Sequence, residues 1–153
     1  MAINQSMVGE VFTDAPYEVS REKIREFAAA LRDDNPAYHD RDAARALGHP
    51  DVIAPPSFLM IISLEAERKF TYNPALGLGD PRRLVHREQR FAHRRPVRAG
   101  DVLTVTSTVV DIRDAGRNEL MTTKMGIATT EGEPVADAYS TIVSRGTAEG
   151  AQG

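Results

Sequence analysis

The second half of the chain constrains the fold most. From residue 84 onward, "LVHREQRFAHRRPV", "DVLTVTSTVVDI", "ELMTTKMGIATT" and "PVADAYSTIVSR" are long β-type runs. Turn signals separate them at Ala99-Gly100-Asp101, Asp114-Ala115-Gly116 and Glu131-Gly132-Glu133. Connections this short predict an antiparallel meander. Just upstream, "PPSFLMIISLEAERKF" places Phe58, Leu59, Met60, Ile61, Ile62 and Leu64 around nearly the whole circumference of a helix. Such a helix is buried along its first half, while its polar second half, with Glu65 and Glu67, is expected to face solvent. The helix and the strands can bury their apolar surfaces only against each other. The expected fold is therefore α+β, an antiparallel β-sheet wrapped around a central apolar helix.

The first third reads as helical. Ser20 is placed to cap a helix whose apolar residues Ile24, Phe27, Ala28 and Leu31 fall on one face. It should end near Asp33, because Pro36 disfavours helical geometry in Asn35. Asp40 and Gly48 predict the start and stop of a short helix over "DRDAARALG". There is no internal repeat or low-complexity linker, so residues 1–153 read as a single domain with an ordered core of about 8–145 and a flexible tail, "GTAEGAQG". "MAINQSMVGEVF" has neither the basic nor the apolar region of a signal peptide, and no apolar run is long enough to span a membrane, so a cytoplasmic location is expected.

Charge and composition narrow the chemistry. A net charge of −3 gives no basic footprint for nucleic acid. With no cysteine and four scattered histidines, disulfides, a Cys nucleophile and a metal centre are not expected, and no cofactor is implied.

The run Asp33-Asp34-Asn35-Pro36-Ala37-Tyr38-His39-Asp40, the downstream "VIAPPSF" and the later "RPVRAGDVLTV" together resemble the MaoC-like hydratases and dehydratases of the hot-dog fold. They are most similar to the actinobacterial dehydratase N-terminal-like family, to which the A and C subunits of the mycobacterial (3R)-hydroxyacyl-carrier-protein dehydratase belong. In catalytic members the loop reads G-D-x-N-P-x-H-x-D, and its Asp and His serve reversible hydration of a trans-2-enoyl thioester. That chemistry needs a positioned acid–base pair, because a weakly acidic proton leaves one carbon while a poor leaving group departs from the next. The resemblance implies motif positions at Asp33, Tyr38 and His39, and substrate contact around Asn35, Pro55, Pro56, Ser57 and Phe58.

Two departures stand out. The catalytic His position holds Tyr38, and His39 lies one residue on, where an ordered loop turns a side chain elsewhere. A tyrosine, titrating at about 10, is a poor base at neutral pH. Relatives also place His-Gly at the start of the buried helix, where the Gly N–H polarises the thioester carbonyl. Pro55 and Pro56 stand there instead, and proline has no N–H to donate.

The stretch 81–98 carries Arg82, Arg83, Arg87, Arg90, Arg94, Arg95 and Arg98 against the single acid Glu88. Charges of this kind protect an exposed strand from aggregation. They would equally suit the phosphates of coenzyme A or an acidic carrier protein, with Arg90, Arg94 and Arg95 as candidate contacts.

The resulting expectation is a dimer-forming, non-catalytic subunit of a (3R)-3-hydroxyacyl-thioester dehydratase. It would bind an acyl-coenzyme A or acyl-carrier-protein thioester and pair with a catalytic MaoC-like subunit. The alternatives are an active homodimeric hydratase using Asp33 with His39, and an acyl-thioester-binding regulatory module.

Overall fold

The computed structural model describes residues 2–148. The last five residues of the expected flexible tail lie outside them, while Thr147 and Ala148 within it are buried. The described residues form strands β1 (Val11–Thr13), β2 (Tyr17–Glu18), β3 (Leu84–His93), β4 (Val102–Ala115), β5 (Asn118–Thr129) and β6 (Pro134–Ser144), and helices α1 (Arg21–Ala30), α2 (Arg41–Ala46) and α3 (Leu59–Thr71).

All pairings are antiparallel, in the order β1-β4-β5-β6-β3, with the two-residue β2 also against β4. This is the expected α+β hot-dog architecture, with the sheet curved around α3. The expected four-strand meander is only partly right: β4, β5 and β6 are consecutive neighbours, but β3 pairs with β6 rather than β4. The segment 94–101 crosses between opposite sides of the sheet. Its residues pair with the chain entering α3 instead, through Ala54 N–H to the Val97 carbonyl (2.7 Å) and Ala99 N–H to the Val52 carbonyl (3.0 Å). The β4–β5 hairpin closes over Gly116-Arg117, and Gly116 takes φ +64°, which a two-residue turn matching the strand twist favours at its first position.

Strands β1 and β2 are too short to show a period in the sequence. The N-terminus is nevertheless tied in: Ile3 is buried, and its N–H donates to both oxygens of the buried Glu119 carboxyl at 3.0 Å. The packed region thus starts ahead of residue 8.

Helix α1 has the expected cap, Ser20 Oγ accepting from the Lys23 N–H at 3.1 Å. It ends three residues before Asp33. Arg32 adopts a left-handed φ of +56°, and the Arg32 and Asp33 N–H groups donate to the carbonyls of Ala29 and Ala28. These two bonds close the helix in a Schellman motif, in a conformation that glycine adopts without strain and arginine does not. Leu31 consequently leaves the apolar face and is 49% exposed, while Ile24 and Ala28 are fully buried.

Helix α3 follows a 3-10 turn at Pro56–Phe58, where Pro56 occupies the first turn and its missing N–H breaks no helical bond. Phe58, Leu59 and Ile62 are buried, and Phe58 meets Phe27 edge-on at 5.5 Å. Two expectations for α3 are corrected. Leu64 is 41% exposed, bordering an open cavity with Tyr72 and Leu84. Glu67 is only 5% exposed, because its position falls on the same side as the buried Ser63 and Ala66 and turns it under the helix.

Candidate functional site

The site is built from three segments that meet at the start of α3. The first is the loop 31–40, which is held by its own side chains. Asp33 Oδ1 accepts from the Asn35 N–H (3.1 Å), and Asn35 Oδ1 accepts from the Ala37 N–H (3.1 Å). Pro36 then starts a 3-10 turn that ends at Tyr38, and Asp40 Oδ1 accepts from the Ala43 N–H (2.7 Å) to open α2. These are the local side-chain-to-backbone bonds that Asp and Asn make wherever a chain turns.

The turn sends neighbouring side chains in opposite directions. Tyr38 is buried and lines a cavity of about 390 Å³ with Pro56, His93, Arg94, Arg95 and Val97. The His39 ring instead places Nε2 2.9 Å from the Asp33 carbonyl oxygen and faces a separate, polar cavity bordered by Arg21, Arg25, Arg41 and Arg45.

The second segment, residues 51–56, is anchored at its start. Arg21 forks onto Asp51 at 3.0 and 2.8 Å, and the Val52 N–H donates to Asp51 Oδ1 at 2.8 Å. The Arg21 hydrogen bond is the main reason the Asp51 carboxyl is held down at about 2. Further along, the Ile53 N–H donates to the Ala37 carbonyl (3.1 Å), which fixes this segment against the loop. Pro55 is buried, Ser57 is exposed, and Phe58 is fully buried in the core. Of these candidates it is Pro56 that reaches the cavity wall.

The third segment is the end of β3 and the crossover. His93 Nε2 lies 2.9 Å from the Pro56 carbonyl oxygen, so a ring nitrogen stands in the cavity that holds the Tyr38 side chain. His93 was not singled out in the sequence. The signal was its spacing: two residues beyond Phe91 in a strand, it must share that residue's face, and Phe91 packs on the core.

The candidate arginines separate by what they already hold. Arg95 borders the cavity, but its fork grips Asp101 at 2.8 and 2.9 Å and Glu133 at 2.7 and 3.2 Å, and Nη1 also donates to the Pro96 carbonyl. That uses all five donors, raises the Arg95 pKa and lowers that of Glu133. Arg95 is a structural clamp on the crossover. Arg94 pairs with Asp137 at 3.1 Å, and Arg90 stacks over the Tyr139 ring at 4.1 Å on the other face of the sheet.

The cavity is therefore a largely apolar pocket at the helix start, with a phenol and an imidazole in its wall. Fold and loop together define a MaoC-like hot-dog protein. Residues 6–138 match the family described as FAS1-like, dehydratase domain region, and the chain belongs to that family.

A UPF0336 protein of Saccharopolyspora erythraea is 48% identical to it over 154 residues, covering 100% of this chain and 98% of its own. Among solved structures, the HadBC (3R-hydroxyacyl-ACP dehydratase) complex from Mycobacterium tuberculosis matches with a TM-score of 0.81 and 28% identity, over 90% of this chain and 96% of that one. A protein described as a MaoC-like dehydratase matches with a TM-score of 0.84 and 30% identity, over 92% of this chain and 43% of that one.

Proposed function

We propose that this chain is the acyl-thioester-binding, non-catalytic subunit of a hot-dog (3R)-3-hydroxyacyl-thioester dehydratase acting in the cytoplasm on fatty-acid-type substrates. One observation carries the reading. The motif's histidine position is Tyr38, buried in the cavity wall beside Pro56, while His39 is turned onto the Asp33 carbonyl and into a different cavity. The cavity start of α3 also lacks an N–H at Pro56, so neither proton transfer from the loop nor the usual carbonyl polarisation is available there.

A partner supplying both is consistent with the open edge of the sheet. Strand β3 pairs with β6 on one side, and Val85, Leu64 and Tyr72 are exposed on and beside it. An edge strand flanked by apolar side chains is suited to pairing with a second subunit. The HadBC relative is described as a complex.

The test is to mix the chain with a small hydratase carrying the intact Asp-x-Asn-Pro-x-His loop. Native mass spectrometry should detect a heterodimer, hydration should depend on the partner's motif histidine, and the preferred acyl length should change. The chain alone should turn over trans-2-enoyl-coenzyme A far below the roughly 10 per second of an ordinary enzyme. Ordinary turnover by the chain alone overturns the reading; acyl binding with no heterodimer favours the regulatory module.

A second reading, an active homodimeric hydratase, is favoured by His93 rather than by His39, since His93 shares the cavity with Tyr38. Turnover by the chain alone that His93→Ala abolishes and His39→Ala spares would establish it.

A further inference from the structure

Under the second half of α3 lies a second cavity, of about 510 Å³, within the roughly 300–1,000 Å³ typical of ligand sites. Ile61, Leu64, Leu84 and Ile142 make its apolar wall, and Glu65, Glu67, Arg68, Thr71 and His86 its polar one. Glu67 is 95% buried, with its Oε1 making no hydrogen bond; burial pushes its carboxyl pKa up, against the opposing pull of the Ser140 hydroxyl and of His86 nearby.

Ser140, the neighbour of Glu67, belongs to a polar row that crosses the sheet outside the cavity wall. In register, Gln89 of β3 lies opposite Ser140 of β6, which lies opposite Thr123 of β5. Gln89 Nε2, Ser140 Oγ, Thr123 Oγ1 and Thr71 Oγ1 are also buried without a hydrogen-bond partner. The Gln89 carbonyl oxygen is used, facing His86 Nε2 at 3.1 Å.

This row separates two apolar clusters. On one side lie Leu103, Val105, Met125, Ile127 and Ala138, and on the other Leu76, Val109, Ile112, Met121 and Ile142. A polar band across the middle of a core is costly, because each unmet group keeps its desolvation penalty. Native proteins leave few such groups, and the two that border the cavity, Glu67 and Thr71, are open to a partner from outside the chain.

We infer that this cavity receives an acyl chain bearing a hydroxyl group, held by Glu67 and Thr71. The inference rests on the acyl-thioester reading above and names the class of acyl chain. The unmatched groups in the cavity wall are a carboxyl oxygen and a hydroxyl. A neutral group that both donates and accepts satisfies them, and a hydroxyl is the smallest that does. Glu67 disfavours a carboxylate in that place and Arg68 is paired with Glu65 at 3.4 Å, while the apolar wall suits methylene groups. The site lies roughly three helical turns from Pro56, so the hydroxyl is borne well away from the reacting end of the chain.

The test is calorimetric titration of the full chain with hexadecanoyl-coenzyme A and with its isomers hydroxylated at successive positions. At least one isomer should bind about tenfold more tightly than the unsubstituted chain, the effect of one hydrogen bond to a carboxyl group. Glu67→Leu should invert that order and raise the melting temperature.

If the unsubstituted chain binds as well as every isomer, this inference falls and the acyl-binding reading stands. If no acyl-coenzyme A binds, both fall. If Glu67→Leu lowers the melting temperature, the carboxyl has a stabilising partner within the chain, and the inference is overturned.

Discussion

The motif loop and the concave face beneath α3 handle their polar groups in opposite ways. In the loop, Asp33, Asn35, His39 and Asp40 each bond to backbone within eight residues of chain. Beneath α3, Glu67, Thr71, Gln89, Thr123 and Ser140 each keep a buried atom without a partner. The segment that carries the family's motif thus uses its polar side chains to shape itself. Unused hydrogen-bonding capacity, the property that recognises a ligand, has collected in a region with no motif at all. A motif in sequence and unused hydrogen-bonding capacity are separate properties, and in this chain the first lies in a loop packed at the start of α3 and the second under its far half.

The satisfied side of this contrast can be broken at Arg95. Arg95→Met would leave Asp101, whose side chain is 6% exposed, buried with only the longer Arg98 contact at 3.9 Å as its cation. A loss of about 3–5 kcal/mol is expected, measured by urea denaturation. A loss below about 1 kcal/mol would show that the crossover clamp is not a satisfied network.

Restoring chemistry at the loop is the next largest effect. Tyr38→His with Pro56→Gly together should raise hydration of trans-2-enoyl-coenzyme A about 100-fold above either single change, since base and carbonyl donor act in one transition state. Equal rates for the single and double variants would show that the missing N–H does not limit the reaction.

On the unsatisfied side, Glu67→Gln should stabilise the fold by about 1–2 kcal/mol at neutral pH, and its effect should depend on pH. The Glu67 pKa is raised in the folded state, so the folded protein holds the proton more tightly than the unfolded chain. The protonated carboxyl favours folding at low pH, and this contribution is lost as the pH rises from the ordinary 4.5 through the raised value. Asp51 has the opposite sign: its stabilisation is present above 3.8 and lost as the pH falls through about 2, and Arg21→Ala should weaken that dependence, leaving the part due to the Val52 N–H and Arg41. Parallel pH profiles for wild type and Glu67→Gln between pH 4.5 and 8 would count against a buried titrating carboxyl.

The smallest expected effect is at Arg32. Arg32→Gly should stabilise by about 1 kcal/mol, by relieving the left-handed φ of +56° at the end of α1. An unchanged or lowered melting temperature would show that the loop is not strained there.

The sequence alone determined what depends on near neighbours. Ser20 and Asp40 cap the helices that were expected of them, Gly116 turns the β4–β5 hairpin, and the one-residue offset of His39 from Tyr38 sends their side chains into different cavities. The α+β hot-dog architecture was also legible, because the long β runs and one apolar helix leave few ways to bury apolar surface. Tertiary packing decided the rest. Nothing local says that β3 pairs with β6, that His93 meets the Pro56 carbonyl, or that Arg95 is closed on Asp101 and Glu133. Glu67 looks like a solvated helix residue until the sheet curves beneath it, and the row Gln89–Ser140–Thr123 is created by strand register between segments far apart in the chain. Caps and turns are fixed by bonds a few residues long, whereas burial and cross-strand neighbours are fixed by which surfaces meet, and that is settled only when the whole sheet has closed on its helix.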